Sequence, residues 1–238
     1  MKTEITEIAD RIYRLSTFVP QVGPTGLTFN QFLIDAEEPL LFHYGHRSMF
    51  PLISAAVASV VALEKLRWTC CSHVEADESG AINEWLAAAP NATPMHGLTG
   101  IRIWVTDMAN RAPRTLNNNE AVDLGGKKVR WLDTPHVPHN WDAGLIYEET
   151  TGTLFSSDLF TQVGPCAATT AGDIVDAAIK TEQAIPFMPS TPQAEPTLRR
   201  LAGLGPRTIA LMHGPSFKGD GAAALNALAD HYASKKHG

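Results

Sequence analysis

Apolar and polar positions alternate in short runs at the start of the chain. Ile5–Ile8, Ile12–Leu15, Leu27–Ile34 and Leu40–His43 are rich in β-formers, and turn residues separate them: Ala9-Asp10, Pro24-Thr25-Gly26 and Glu37-Glu38-Pro39. A longer apolar stretch predicts a helix over Met49–Leu63 with Ser48 as its N-cap. A strand over Arg67–Ser72 then runs into His73–Gly80, and a second helix over Ala81–Ala89 stops at Pro90. Strand signals return at Ile101–Thr106, Glu120–Leu124, Lys127–Leu132, Gly144–Glu148 and Thr153–Ser156, with hairpin turns at Gly125-Gly126 and Thr151-Gly152. The last third predicts helices over Ile174–Ala184, Gln193–Leu204 and Ala222–Ala233, a strand over Arg207–Met212, and a loop over the Pro-rich stretch Pro186–Pro196. Strands followed by helices, in two roughly similar halves, predict an α+β chain. Two sheets sandwiched between helices fit this order better than a doubly wound parallel sheet. Residues 1–238 read as a single domain.

Composition narrows the function. Hydrophobic residues make up 44% and charged residues 18% of 238 positions, enough apolar material for a sizeable core. A net charge of −6 argues against a nucleic-acid partner, which needs a basic footprint. The first residues lack the apolar core of a secretory signal, and Leu52–Leu63 is too short to span a bilayer. Three cysteines, Cys70, Cys71 and Cys166, make no disulfide framework. These features predict a cytoplasmic protein with reduced thiols and no membrane partner.

The candidate chemistry sits just after predicted strands. His73-Val-Glu75-Ala-Asp77 places three donors within five residues, on one side if the segment is extended. His136-Val-Pro-His139-Asn-Trp-Asp142, Ser157-Asp158 and His213-Gly214 follow other strands, and His43-Tyr-Gly-His46 is a fifth, weaker case. A lone histidine at a strand end is more often hydrogen-bonded or solvated, and His43, His46, His96, His231 and His237 are read that way. Co-occurrence argues for more. Two first-row cations close together need imidazoles for affinity and a bridging carboxylate to offset their repulsion. His73, Glu75, Asp77, His139, Asp158 and His213 supply three imidazoles and three carboxylates without a thiolate, a set suited to iron or manganese more than to zinc.

At these residues the chain resembles the metallo-β-lactamase superfamily. More narrowly it is similar to the di-iron domain of flavodiiron proteins and to stand-alone oxygen-binding di-iron proteins. That branch carries Glu where most hydrolases of the superfamily carry a second His, as His73-Val-Glu75-Ala-Asp77 does. Thr28–Ile34, Ser157-Asp158-Leu159-Phe160 and His213–Asp220 resemble further family segments, so the likeness spans nearly the whole chain. It implies an αββα sandwich of two mixed sheets. It implies one metal held by His73, Glu75, His139 and Asp158, and a second held by Asp77, Asp158 and His213, with Asp158 bridging. His139 is preferred to His136 because the family ligand has Asp three positions on, here Asp142, and because it lies 19 positions before Asp158. His136 is then expected to line the pocket. The family usually has His after the Asp, whereas this chain has Glu78, which either supplies an oxygen or points away.

The function implied is a non-haem di-iron protein with two iron ions that binds O2, as a sensor or as an oxidoreductase. It would take electrons from an external donor or report to a signalling partner. His136 or Tyr147 would hydrogen-bond the bound ligand. No flavodoxin-like FMN domain is expected on this chain, and a homodimer is implied by resemblance alone. The alternative is a di-metal hydrolase, with zinc or manganese in place of iron. It would cleave an ester, thioester, lactone or phosphodiester, with Asp77 orienting a metal-bound hydroxide or acting as base. Trp141 and Phe217 are candidates for the pocket wall, while Trp68, Trp85, Trp104 and Trp131 are expected in the core.

Overall fold

The structure is a computed structural model, in which residues 1–189 and 191–235 are described. Two seven-stranded sheets stack face to face between layers of helix. The first sheet runs in sequence order: β1 (Thr3–Ala9), β2 (Ile12–Val19), β3 (Leu27–Ile34), β4 (Leu40–Phe42), β5 (Trp68–Cys70), β6 (Thr93–Gly97) and β7 (Arg114–Leu116). Pairing is antiparallel through β4 and parallel from β4 to β7. The second sheet contains β8 (Ala121–Asp123), β9 (Lys128–Asp133), β10 (Gly144–Glu148), β11 (Thr153–Ser157), β12 (Thr169–Thr170), β13 (Thr208–Leu211) and β14 (Ser216–Lys218). Its spatial order is β12-β14-β13-β11-β10-β9-β8, with β11 and β13 parallel. This is the predicted αββα sandwich.

Alternation along each strand builds the layers. Phe32 and Ile34 of β3, Leu40 and Phe42 of β4, Phe155 of β11 and Ala210 of β13 fill the space between the sheets. Phe155 meets Phe32 and Phe42 edge-on, with centroids 5.3 and 5.6 Å apart. Leu33 and Leu41 face the opposite way, onto the helices Phe50–Ala58 and Ile82–Ala88. Leu154, Ile209 and Leu211 pack against the helices Val175–Ala184, Ala194–Ala202 and Gly221–Lys235. The four tryptophans expected in the core are buried there. No helix among the described residues is long and apolar enough to cross a membrane.

Three local expectations fail. Ile101–Thr106 is helical rather than a strand, part of a helical stretch over 98–108. Its β-branched residues suggested a strand, but Ile101, Trp104 and Val105 recur at helical spacing and bury Trp104 and Val105. The strand slot beside β5 goes instead to Thr93–Gly97, hidden in the sequence by its Pro and Gly. Ser48 caps nothing: it lies inside a 3-10 turn, and the helix starts at Phe50 with a proline in its first turn. His73–Gly80 is extended only as far as Glu75, because Ala76–Ser79 coils into one helical turn.

A backbone contact between the sheets bears on the site. The Gly144 N–H donates to the Ser72 carbonyl at 2.8 Å, joining the start of β10 to the segment after β5. A Cβ at Gly144 would lie 2.0 Å from Cζ2 of the buried Trp131 ring. Gly144→Ala should therefore lower unfolding stability by about 1–3 kcal/mol, the usual cost of overpacking. Urea denaturation measures this, and a loss below about 0.5 kcal/mol would show that Trp131 has room to move.

Candidate metal centre

The sandwich brings several strand ends to one rim. β5 leads through Cys71 and Ser72 to His73 and Glu75, and the following helical turn carries Asp77 and Glu78. The loop between β9 and β10 carries His139, β11 ends just before Asp158, and β13 leads through Met212 to His213. Four donors thus come from the first sheet and three from the second.

They form two groups. His73, Glu75, His139 and Asp158 each offer an atom within 4.8 Å of the others, and so do Asp77, Glu78 and His213. In the first group His139 Nε2 lies 2.9 Å from both His73 Nε2 and Glu75 Oε2. Asp158 Oδ2 lies 3.5 Å from each of the two imidazoles. Its other oxygen, Oδ1, lies 3.3 Å from His213 Nε2, which is also 3.3 Å from Asp77 Oδ2. One carboxylate therefore faces both groups. The helical turn explains the split within His73–Glu78: Glu75 stays with His73, while Asp77 and Glu78 turn towards His213.

These positions fit a pair of cations. Metal–donor distances of about 2.0–2.2 Å place neighbouring donors roughly 3.0–3.5 Å apart, close to the separations observed. Both carboxylate oxygens of Asp158 and of Glu78 are buried without a hydrogen-bond donor. A buried anion left in that state is costly unless a cation faces it. Burial is the main cause that pushes the Glu78 pKa well up, and the Asp158 and Asp77 carboxylates add to it. His213 shows the opposite balance: burial disfavours its charged form, but Asp158 and Asp77 outweigh this and raise its pKa to about 10. Glu75, beside His139 and His73, is lowered to about 2.

Surrounding groups orient the donors. The His213 Nδ1–H donates to the Thr28 carbonyl at 2.9 Å, leaving Nε2 for the group. Asn30 holds the same loop, its Nδ2 donating to the carbonyls of Leu211 and Gly214 at 2.8 and 2.9 Å. His73 Nδ1 lies 2.9 Å from Ser72 Oγ, which also meets His43 Nε2 at 3.1 Å and Ser157 Oγ at 2.8 Å. Asp142 is no donor to either group. Its Oδ2 accepts from the Val74 N–H at 3.0 Å and from Trp104 Nε1 at 2.8 Å, which ties the His139 loop to the His73 segment.

Several expected roles are not met. His136 is exposed at a left-handed residue, φ 64°, and its side chain does not line the cavity above the donors. Tyr147 Oη donates to the Leu204 carbonyl at 3.1 Å, because Tyr147 sits near the end of β10 remote from the donors. Trp141 is 60% exposed and borders a separate small hollow, and Phe217 packs in the second helical layer. Cys70 and Cys71 are buried, with thiol pKa values raised by burial and sulfurs turned to backbone carbonyls. His43 is fully buried beneath the site, and burial lowers its pKa to about 3. His96 is buried among Trp104 and Trp131, while His46 meets Phe29 edge-on at 5.1 Å. His231 lies on the last helix, and His237 falls outside the described residues.

A cavity of about 230 Å³ opens above the donors. Leu27, Val163, Ile185 and Phe187 give it an apolar wall, and Phe187 meets the His139 ring at 6.1 Å. Ile185 and Phe187 escaped the sequence reading because the Pro-rich stretch from Pro186 reads as a loop between helices; the apolar run Ile185-Pro-Phe187-Met188 was the available signal.

The model of the ODP family beta lactamase matches residues 27–214. The chain belongs to this family. Among curated proteins, this ODP-family chain is 28% identical over 196 residues to a diflavin flavoprotein A 1 of Nostoc sp., covering 80% of the chain and 34% of that protein. It is 28% identical over 145 residues to the coenzyme F420H2 oxidase of Methanothermobacter marburgensis, covering 58% of the chain and 35% of the oxidase. The chain thus spans about a third of the length of these two relatives. Among solved structures, the flavodiiron protein of Giardia intestinalis superposes with a TM-score of 0.85 at 18% identity, over 98% of this chain and 60% of that one. The Flv1 flavodiiron core of Synechocystis gives 0.86 at 20% identity, over 99% and 62%. These likenesses show that the ODP-family chain shares their fold.

Two predictions test the donor assignment. His139→Ala should reduce retained metal by roughly one equivalent per chain while His136→Ala retains it, as read by elemental analysis; equal losses would undo the choice of His139. In the metal-free chain the raised Glu78 pKa makes stability fall as pH climbs above the ordinary carboxylate range, because the unfolded chain ionises Glu78 first. Glu78→Gln should therefore flatten that fall in thermal melts from pH 5 to 8 and also lower metal retention. A wild-type slope in the variant would remove Glu78 from the buried group.

Proposed function

We propose that this chain is a non-haem di-iron redox protein whose small-molecule ligand is O2, with electrons delivered by a separate donor. The observation that carries the reading is the donor set: three imidazoles and four carboxylates, no thiolate, in two groups that share Asp158 beneath an apolar cavity. Oxygen-rich mixed sets favour iron or manganese over zinc. The names of the relatives, diflavin flavoproteins and a coenzyme F420H2 oxidase, add redox chemistry as the common theme. A ferrous pair held by these residues would supply the electrons for O2 chemistry.

The chain's own residues do the rest. Asp158 keeps the two groups in register, its buried carboxylate offsetting charge on both sides. Thr28 and Ser72 set the ring orientations of His213 and His73. Asp142 fixes the His139 loop through Val74 and Trp104. Leu27, Val163, Ile185 and Phe187 give the cavity an apolar side that suits a small apolar ligand. No Lys or Arg lines the cavity among the described residues, so a phosphodiester would find no cationic side chain there.

Anaerobic purification from iron-replete cells, elemental analysis and an optical spectrum on O2 addition test the reading. About two irons per chain and a new visible band on O2 addition are the expected outcome. Zinc as the dominant metal with no optical response to O2 would overturn it, and hydrolysis of an ester, thioester or phosphodiester by the zinc form would establish the hydrolase.

A further inference from the structure

A second cleft, of about 320 Å³, lies on the other side of β3 from the apolar cavity's rim and is walled by Lys2, Glu4, Arg14, Ser16, Thr28 and Cys166 among others. Arg14, on β2, is only 2% exposed. No carboxylate lies within ion-pair distance of it among the described residues, and its Nε is buried without an acceptor. Burial accordingly lowers its pKa, and Cys166 and then Glu4 offset this only in part. A buried cation that lines a solvent-connected cleft without a counter-anion is an invitation to an anionic ligand.

The same guanidinium touches a thiol. Arg14 Nη2 donates to Cys166 Sγ at 3.3 Å and to the Gly214 carbonyl at 3.1 Å. Cys166 is partly exposed, whereas Cys70 and Cys71 are fully enclosed. Reactive thiols sit in partly exposed, electropositive surroundings, and of the three thiols Cys166 alone has them.

We propose that Cys166 is a thiol-modification site that forms a mixed disulfide with a low-molecular-weight disulfide carrying carboxylates, recognised by Arg14 with Lys2 on the rim. In the step, the Cys166 sulfur loses its proton to solvent and attacks one sulfur of the reagent. The reagent's S–S bond breaks as the new one forms, and the departing thiolate takes up a proton. Cys166 is oxidised to the disulfide level while one reagent sulfur is reduced to a thiol, so no further oxidant is needed. Arg14 then serves the carboxylates of the bound half. The inference is independent of which metal the donor groups hold.

The test uses the purified protein under argon, with oxidised glutathione as the charged reagent and 2-hydroxyethyl disulfide as the neutral one. Each rate is normalised to the same reagent's rate with free cysteine. Intact mass and peptide mapping should show a single glutathionyl adduct, on Cys166, absent in Cys166→Ser. The normalised preference for the charged reagent should be about tenfold and should fall in Arg14→Gln. Should that variant not fold, the comparison of reagents on the wild-type protein stands by itself. No adduct, an adduct on Cys70 or Cys71, or equal normalised rates for the two reagents would overturn the proposal.

Discussion

The Asp158 carboxylate, buried between two groups of donors, is the constraint on which the site turns. Its two oxygens face different imidazoles, so it belongs to one group and touches the other. A buried carboxylate beside Asp77 and Glu78 concentrates negative charge where water cannot screen it. The three imidazoles offset part of this. The remaining imbalance is the physical reason to expect cations; in their absence it adds to the burial that raises Glu78, and it raises His213 against the opposing effect of burial.

The scaffold keeps that strain local. Phe32, Phe42 and Phe155 pack a dry interior between the sheets, and the chemistry is confined to segments that leave strand ends. Several of those segments adopt left-handed backbone at residues other than glycine: φ is 69° at His43, 65° at Asn140, 51° at Ser157 and 66° at Phe160. Such conformations cost energy and persist where neighbours over-determine them. Here the neighbours are visible: the His43 N–H donates to the Cys70 carbonyl, and Asn140 Nδ2 donates to the Val74 carbonyl.

The sandwich was legible because strand alternation and turn residues survive in the sequence; Leu27–Ile34 forms the strand predicted for it, residue for residue. Ile101–Thr106 was not, because β-branched residues at helical spacing carry both signals and only packing of Trp104 and Val105 decides. In the site, residues whose chemistry depends on strand-end placement were found, and the structure brings His73, Glu75, Asp77, Glu78, His139, Asp158 and His213 together. Tyr147 and His136 were misplaced because sequence proximity to His139 does not report direction: one sits near the far end of β10, bonded to the Leu204 carbonyl, and the other is exposed on the loop. Ser72 was passed over, since a buried hydrogen-bond relay leaves no pattern in the chain, whereas His43 has the hydrogen-bonded role read for it.

The donors are divided between the sheets, four from the first and three from the second. Ions seated there would act as rivets through both halves of the sandwich. Anything that binds the folded state alone deepens it by mass action. The mechanical integrity of this rim, and its resistance to proteolysis at the loops that carry His139 and His213, would then track the free-metal concentration. A pool of metal becomes, for this protein, a setting on how tightly its two faces are clamped.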